Sequence, residues 1–469
     1  MFIILLLLGT TYLATTAALR GPRAAATSTF VLTLALPCWV YFESGALRID
    51  IRTALALVGL GCVLLHPLSQ FSFRPILADL LLVTLVVVQI VADCLTTDVT
   101  PAVAVDIAIQ WIVPYALGRI AVRSAEDVRR LMPGMVVVCM SLSLWSAVES
   151  ITRINPIGSL VGHVGSIQGM QDLRWGLRRA EGPLTHPIFF GLLLVMLLPF
   201  AMQAARMARN GTGPRWWTWT PWCIAGGTLF SMSRGPQMGI GITLLTMFVV
   251  LSSRWRAAVL LPVTLLVALG LTAGHAILDV FHSWSGETDH RLILMKGELV
   301  PYTGTTHRLL QVEVYADAVA EAGWLGFGSA PLRAGETKIP HVEEHLRQMF
   351  SSIDNHYLQF ALQVGYLGLG TFVLFCFFGI AYAASCTNVE QGEFRLLFAG
   401  ITGSLVALTL LMASVWLAGD YRFALLALVG FAGGAKLSLR QATTEIAAPP
   451  LTVPALRLSP GHSLLSTTP

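Results

Sequence analysis

Residues 184–205 read LTHPIFFGLLLVMLLPFAMQAA. The stretch carries no Asp, Glu, Lys or Arg. A bilayer core is crossed by about 20 predominantly apolar residues in helical form, and this run has that length. Gly182-Pro183 stands before it, and Arg206 and Arg209 follow it. The fold turns on this stretch because runs of the same kind recur along the chain. Working outward, they fall near residues 2–19, 27–43, 52–68, 75–93, 100–118, 132–151, 217–232, 235–252, 257–275, 356–385, 396–418 and 421–435. The pattern predicts an all-α protein, a polytopic membrane helix bundle of about 12–13 transmembrane helices. The 356–385 stretch exceeds the length that a bilayer needs, so it is expected to tilt or project from the membrane.

Composition agrees. Of 469 residues, 55% are hydrophobic and 12% charged, about half the ~25% usual for soluble domains. Mean hydropathy is +0.70. A soluble chain of this length could not cover its surface with so few polar groups. The net charge is +4. No Lys/Arg cluster is interleaved with aromatics, so nucleic acid is not an expected partner. The seven cysteines are odd in number, scattered through apolar segments and form no CxxC. They read as small buried hydrophobes. Met1–Leu19 lacks the basic start and small-residue cleavage site of a signal peptide and reads as a retained first span.

Lys and Arg concentrate in cytoplasmic loops. One alternate set of loops carries Arg20 and Arg23, Arg74, Arg119 to Arg130, Arg206 to Arg215, Arg254 and Arg256, Arg395, then Lys436 and Arg440. That set is assigned to the cytoplasm. The opposite set contains the two long loops, 152–183 and 276–355. Residues 1–436 are therefore expected to form one transmembrane domain with these loops on the outer side. Residues 437–469 are expected to be a disordered cytoplasmic tail.

Loop 152–183 carries Arg153, Arg174, Arg178 and Arg179, against the orientation bias. Either the loop simply deviates, or Arg is placed there to hold an anion, which guanidinium grips in a fork. Loop 276–355 carries eleven acidic and six basic residues and is too long for a simple connector. A helix capped by Thr305 or Thr306 is expected to carry Leu309, Val312, Ala316 and Val319 on one face and to end at Gly323. A second helix is expected after Pro340. Together they would lie on the outer surface as a lid.

His341-Val342-Glu343-Glu344-His345 matches the HxxEH pattern, with both imidazoles on one helix face. No third ligand is identifiable, and a solvated helix face is the preferred reading. Asp79 and Asp106 fall inside spans. A carboxylate at depth is functional by default, unless it sits at a span end.

Four segments map to the outer edge. They are Arg179-Ala180-Glu181-Gly182-Pro183-Leu184-Thr185-His186-Pro187; Ser231-Met232-Ser233-Arg234-Gly235; His307-Arg308 with Ala322-Gly323-Trp324-Leu325-Gly326-Phe327-Gly328; and Asp354-Asn355-His356-Tyr357-Leu358-Gln359 with Gly365, Gly368 and Gly370. In this order the segments resemble the O-antigen ligase and polysaccharide polymerase superfamily of bacterial inner membranes, over roughly residues 175–375. The resemblance implies a fold like that of metal-independent GT-C-type glycosyltransferases, and glycosyl transfer at the periplasmic face. It implies no cofactor. The donor would be a glycan on undecaprenyl diphosphate, and the acceptor a lipid-linked repeat unit or lipid A-core. A flippase and a chain-length regulator are candidate partners beside the bilayer itself.

The residues fit that chemistry. Cleaving a sugar C1–O bond to diphosphate develops negative charge that Arg can stabilise. Arg234, Arg308 and Arg179 are the candidate diphosphate-binding residues. The acceptor hydroxyl needs a general base, for which Asp354 and His356 are candidates, with Arg308 completing the catalytic set. His186-Pro187 reads as a structural helix start. Asp354 stands where ligases carry His, and the Asp-Asn start looks more like polymerases. A transporter of an anion or lipid-linked sugar, using Asp79 and Asp106, is the rival class.

Overall fold

The computed structural model describes residues 1–45, 47–67, 74–96, 100–161, 173–252, 291–295, 298–302, 304–329, 346, 350, 353–389 and 392–447. Its elements are helices α1 (Phe2–Arg20), α2 (Pro22–Ala35), α3 (Ile51–Leu64), α4 (Leu77–Thr96), α5 (Pro101–Ala121), α6 (Ala125–Thr152) and α7 (Pro156–Val161). Then come α8 (Pro187–Arg209), α9 (Thr220–Phe230), α10 (Arg234–Leu251), α11 (Gly304–Ala322), α12 (His356–Val389), α13 (Arg395–Leu411) and α14 (Gly419–Ala447). Three short antiparallel hairpins complete it: β1 (Tyr41–Ser44) with β2 (Leu47–Asp50), β3 (Leu173–Arg174) with β4 (Leu177–Arg178), and β5 (Arg291–Met295) with β6 (Glu298–Tyr302). The molecule is an all-α polytopic membrane bundle. Seven of the described helices are long and apolar enough to cross a membrane.

Every expected span coincides with a helix except 257–275, which lies outside the described residues. The opening stretch forms α8, and it is central: 89% of its most apolar window is buried, against 17% for α1. A helix that is apolar all round belongs in the core. α14 lies along α5 at backbone contact. A Cβ on Gly118 would meet the Ala427 carbonyl, and one on Gly430 would meet the Tyr115 carbonyl. Such small-residue contacts let membrane helices approach closely, where apolar burial gives no driving force between them.

Three expectations need correction. The span at 27–43 begins earlier and ends sooner. Pro22 starts α2 at a position where its missing N–H costs nothing, and Pro37 biases Leu36 to extended backbone, which ends it. Tyr41–Ser44 and Leu47–Asp50 are instead the paired strands β1 and β2, Tyr41 opposite Asp50. The tail expected to be disordered from 437 is helical to Ala447, because Leu437, Leu439, Arg440, Gln441 and Ala442 are good helix formers that continue α14. The buried face of α11 is also rotated. Leu310, Gln311, Val314, Tyr315 and Ala318 are buried, while Val312 is exposed. Both stripes satisfy a 3.6-residue period, so periodicity could not choose between them. The true stripe packs with Phe350, Ile353, Leu358 and Leu362 in a satellite core, so α11 rests on protein, on the first turns of α12. The second lid helix and the His341/His345 pair lie outside the described residues.

The long α12 is not one continuous helix. It breaks at Gly365, which has φ 64° and ψ −168°. The exposed backbone there is taken up by the Gly-rich segment after α11. Phe327 N–H donates to Leu362 O (2.7 Å), Gly328 N–H to Gln363 O (2.9 Å), and Tyr366 N–H to Gly323 O (2.9 Å). Broken helices survive at membrane depth only where another segment satisfies the freed groups.

Candidate functional site

The chain order of the helices brings the four motif segments to one end of the bundle. That end holds the starts of α3, α5, α8, α10, α12 and α14, and the ends of α4, α6 and α9.

The first segment is a structural brace. His186 caps α8, its Nδ1 accepting from Ile188 N–H (3.1 Å), and Pro187 follows at the first helical position. Glu149 Oε2 accepts from Gly182 N–H (2.9 Å), and Asn155 Nδ2 donates to Gly182 O (2.9 Å). The four arginines of the 152–183 loop are all engaged within the protein. Arg153 donates to Gly176 O (2.8 Å). Arg178 donates to Arg153 O (3.1 Å) and lies 3.8 Å from Glu149 and 3.6 Å from Glu181. Arg174 donates to Met232 O (2.8 Å). Arg179, only 8% exposed, donates to Ser233 Oγ (2.8 Å) and Ser231 O (3.4 Å). The excess of Arg in this loop thus fastens the loop to the bundle and to the Ser231–Ser233 turn.

That turn is the second segment. Met232 sits at φ 49°, uncommon for a residue with a side chain. Two guanidiniums and the Ser233 hydroxyl, which donates to Ser231 O (3.1 Å), hold the turn in place. The next residue, Arg234, opens α10 and is exposed.

In the third segment, Arg308 lies near the start of α11, and its side chain is not among those described. Its neighbour His307 stacks on Phe350 at 4.8 Å. The segment ends with Ser329, whose N–H and Oγ both bond the buried Asp93 carboxylate near the end of α4, the Oγ at 2.7 Å.

In the fourth segment, Asp354 is half-buried and its N–H donates to Gln311 Oε1 (3.1 Å) on α11. Asn355 Oδ1 accepts from Leu358 N–H (3.1 Å), capping α12. His356 is 4% exposed, with its ring 4.9 Å from those of Phe360 and Phe372. Among the described residues, neither ring nitrogen has a hydrogen-bond partner. The imidazole is sealed inside the bundle.

Asp79 and Asp106 both sit close to helix ends. Asp79 pairs with Arg119 (3.0 Å) and accepts from the Tyr115 hydroxyl (2.5 Å). Asp106 accepts from Gln110 Nε2 (2.5 Å) and Arg48 N–H (3.4 Å). Both carboxylates are thus engaged by neighbouring side chains or backbone, which weakens the observation that favoured transport.

Sequence reasoning missed one feature at this end: a polar cavity of about 350 Å³. It opens between the starts of α3, α8 and α14, and Gln110 of α5 closes one side. Two Asp-x-Arg pairs build it, each at the start of a helix. Asp50 caps α3 through Thr53 N–H (2.7 Å) and pairs with Arg52 (2.5 Å), which is 5% exposed. Arg52 also donates to Asp420 O (2.5 Å). Asp420 accepts from Thr185 N–H (3.0 Å) and from the Thr185 hydroxyl. Arg422 bonds the Gln110 side-chain oxygen and lies 5.1 Å over the Trp111 ring. Cys38 borders the cavity, and burial beside the Asp420 carboxylate pushes its thiol well above its ordinary value. The repeated Asp50-Ile51-Arg52 and Asp420-Tyr421-Arg422 spacing was the available signal in the sequence. Among the described residues, no group of three His, Cys, Asp or Glu could hold a metal ion.

Fold and site define a multi-pass membrane protein with its chemistry-bearing residues gathered at one end of a helix bundle. Residues 220–373, about a third of the chain, match the family model described as O-antigen ligase. The match contains Arg234, Arg308, Asp354 and His356, and excludes Arg179 and every residue lining the polar cavity. No curated protein matches the chain. The match supports glycosyl transfer of the O-antigen ligase/polymerase type in general.

Proposed function

We propose that this protein polymerises glycan repeat units at the periplasmic face of the inner membrane, drawing on a glycan carried by undecaprenyl diphosphate. One observation carries the reading. Arg234 is exposed at the start of α10, within the matched stretch, while Arg174 and Arg179 fasten the turn that presents it. A guanidinium held ready at the rim suits a diphosphate tethered in the bilayer.

In this mechanism Asp354 takes the proton of the acceptor hydroxyl. The hydroxyl oxygen forms a bond to C1 of the donor sugar as the C1–O bond to diphosphate breaks. The diphosphate leaves with the electron pair, stabilised by Arg234 and by Arg308 from α11. Attack opposite the leaving group inverts the anomeric configuration, and the scheme needs neither metal nor cofactor. Asp354 is better placed than His356, because a base must come within about 2.6–3.2 Å of the hydroxyl and the His356 ring is sealed by aromatics. Arg179 acts through the turn and is a positioning residue. Residues 1–436 supply the membrane domain, and a flippase and a chain-length regulator are the expected partners.

The test is gel analysis of surface glycans in cells carrying Arg234→Ala. The expected result is loss of long-chain polymer with the protein retained in the membrane. A single repeat unit left on lipid A marks a polymerase; loss of all lipid-A-attached glycan marks a ligase. Normal polymer length would refute both.

A further inference from the structure

The polar cavity lies wholly outside the stretch that matches the family model, so the match assigns it nothing. Its volume falls within the ~300–1,000 Å³ of small-molecule sites. Its charges nearly cancel: Arg48, Arg52 and Arg422 face Asp50 and Asp420, with Asp106 bonded to Gln110 behind them. An anion site would show an excess of donors. Here carboxylates and guanidiniums line the same cavity. The wall also carries an aromatic platform. Trp416 lines the cavity, is 39% exposed and stands edge-on to Phe189 at 6.1 Å. Phe189 is fixed in turn by Tyr421 at 5.3 Å.

We infer that this cavity binds an uncharged sugar ring of the glycan. A sugar offers hydroxyls that both donate and accept, which suits carboxylates and guanidiniums set side by side. It also offers an apolar C–H face, which suits an exposed indole. A diphosphate has no face to stack, and Arg52 and Arg422 already spend donors on Asp50, Asp420 and Gln110. The saccharide class rests on the transferase reading, while the location rests on the cavity alone. The cavity is joined to the motif end through the chain itself. Thr185, which bonds Asp420, immediately precedes the cap of α8, and His356 N–H donates to Met412 O (2.9 Å) just before Trp416.

The experiment uses the full chain in nanodiscs and saturation-transfer NMR. The probes are neutral disaccharides of hexose and N-acetylhexosamine, with inorganic pyrophosphate as the anionic probe. The wild type is expected to bind at least one disaccharide, and Trp416→Ala to weaken it tenfold or more. Asp420→Asn is expected to weaken it as well. Because Asp420 also holds Thr185, the exposed Trp416 position decides if that variant fails to fold. Pyrophosphate is expected not to displace the sugar. A lipid-linked repeat unit added as competitor is expected to displace the disaccharide, and simultaneous binding of the two would overturn the inference. No disaccharide binding, binding unchanged in Trp416→Ala, or displacement by pyrophosphate each overturns the inference. Failure here leaves the Arg234 result untouched, and a normal polymer in Arg234→Ala leaves this binding result untouched.

Discussion

Arg179 and Arg234 were drawn from the sequence as equals, and the structure gives them different surroundings. Arg179 is buried and spends its donors on Ser231 O and Ser233 Oγ; Arg234 is exposed. A hydrogen bond to a charged group contributes about 1.5–3 kcal/mol. Arg179→Ala is therefore expected to destabilise the protein by a few kcal/mol, read as a lower melting temperature in detergent. Arg179→Lys should restore little, because an ammonium lacks the planar fork that spans the turn. An unchanged melting temperature in Arg179→Ala would show that the turn does not need its brace. Composition could not separate these two arginines, since burial is set by which chain segment lies across the turn. Cys38 behaves differently again. Its thiol is pushed well above the ordinary value by burial and by Asp420, so it stays protonated at neutral pH. Thiolate is the reactive form, so Cys38 is expected to resist maleimide at pH 7 in the folded protein and to react after denaturation. Rapid labelling of the native protein would contradict that placement.

At the scale of elements, α12 and the segment after α11 stand or fall together. Gly365 needs φ 64°, and a Cβ there would meet the Trp324 backbone; Gly326 needs φ 76°, and its Cβ would lie 2.5 Å from Gln363 C. Backbone strain of this kind costs about 1–3 kcal/mol per residue, before the overlap is counted. Gly365→Ala is expected to lower the folded yield in the membrane and shorten the polymer together. Wild-type yield with wild-type polymer length would mean the break is dispensable. The glycines themselves were plain in the sequence, as was the helix that Gly323 ends. Their mutual pairing was not, because those hydrogen bonds join backbone groups about forty residues apart, and no local pattern records them. The face of α11 was misread for a related reason. Val312 and Val314 both fit the helical period, and only packing against Phe350 and Leu362 distinguishes them. Pro37 was the available signal for the end of α2, and the span drawn over 27–43 ran past it.

For the whole molecule, the alternation of apolar runs and Arg-bearing loops was enough to predict an all-α bundle, because the bilayer admits few alternatives. It also predicted that loop 152–183 lies outside. In a cysteine-free background, a cysteine at Trp175, which is 90% exposed, is expected to label with an impermeant maleimide in intact cells. One at Gly211, beyond the Arg209 end of α8, is expected to label only after permeabilisation. The reverse pattern would turn the protein over and move the chemistry to the cytoplasm. The polar cavity escaped the sequence reading because its walls come from helices at opposite ends of the chain, and only the closed bundle brings Arg52 to Asp420.

All of this depends on where the departing pyrophosphate finds its positive charge. The most direct measurement follows radiolabelled lipid-linked repeat units in proteoliposomes and quantifies the polyprenyl diphosphate released in each round of transfer. Wild-type protein should free the carrier in step with chain growth. Arg234→Ala should free none above the protein-free blank while still folding and inserting; release at the wild-type rate from that variant would contradict the account.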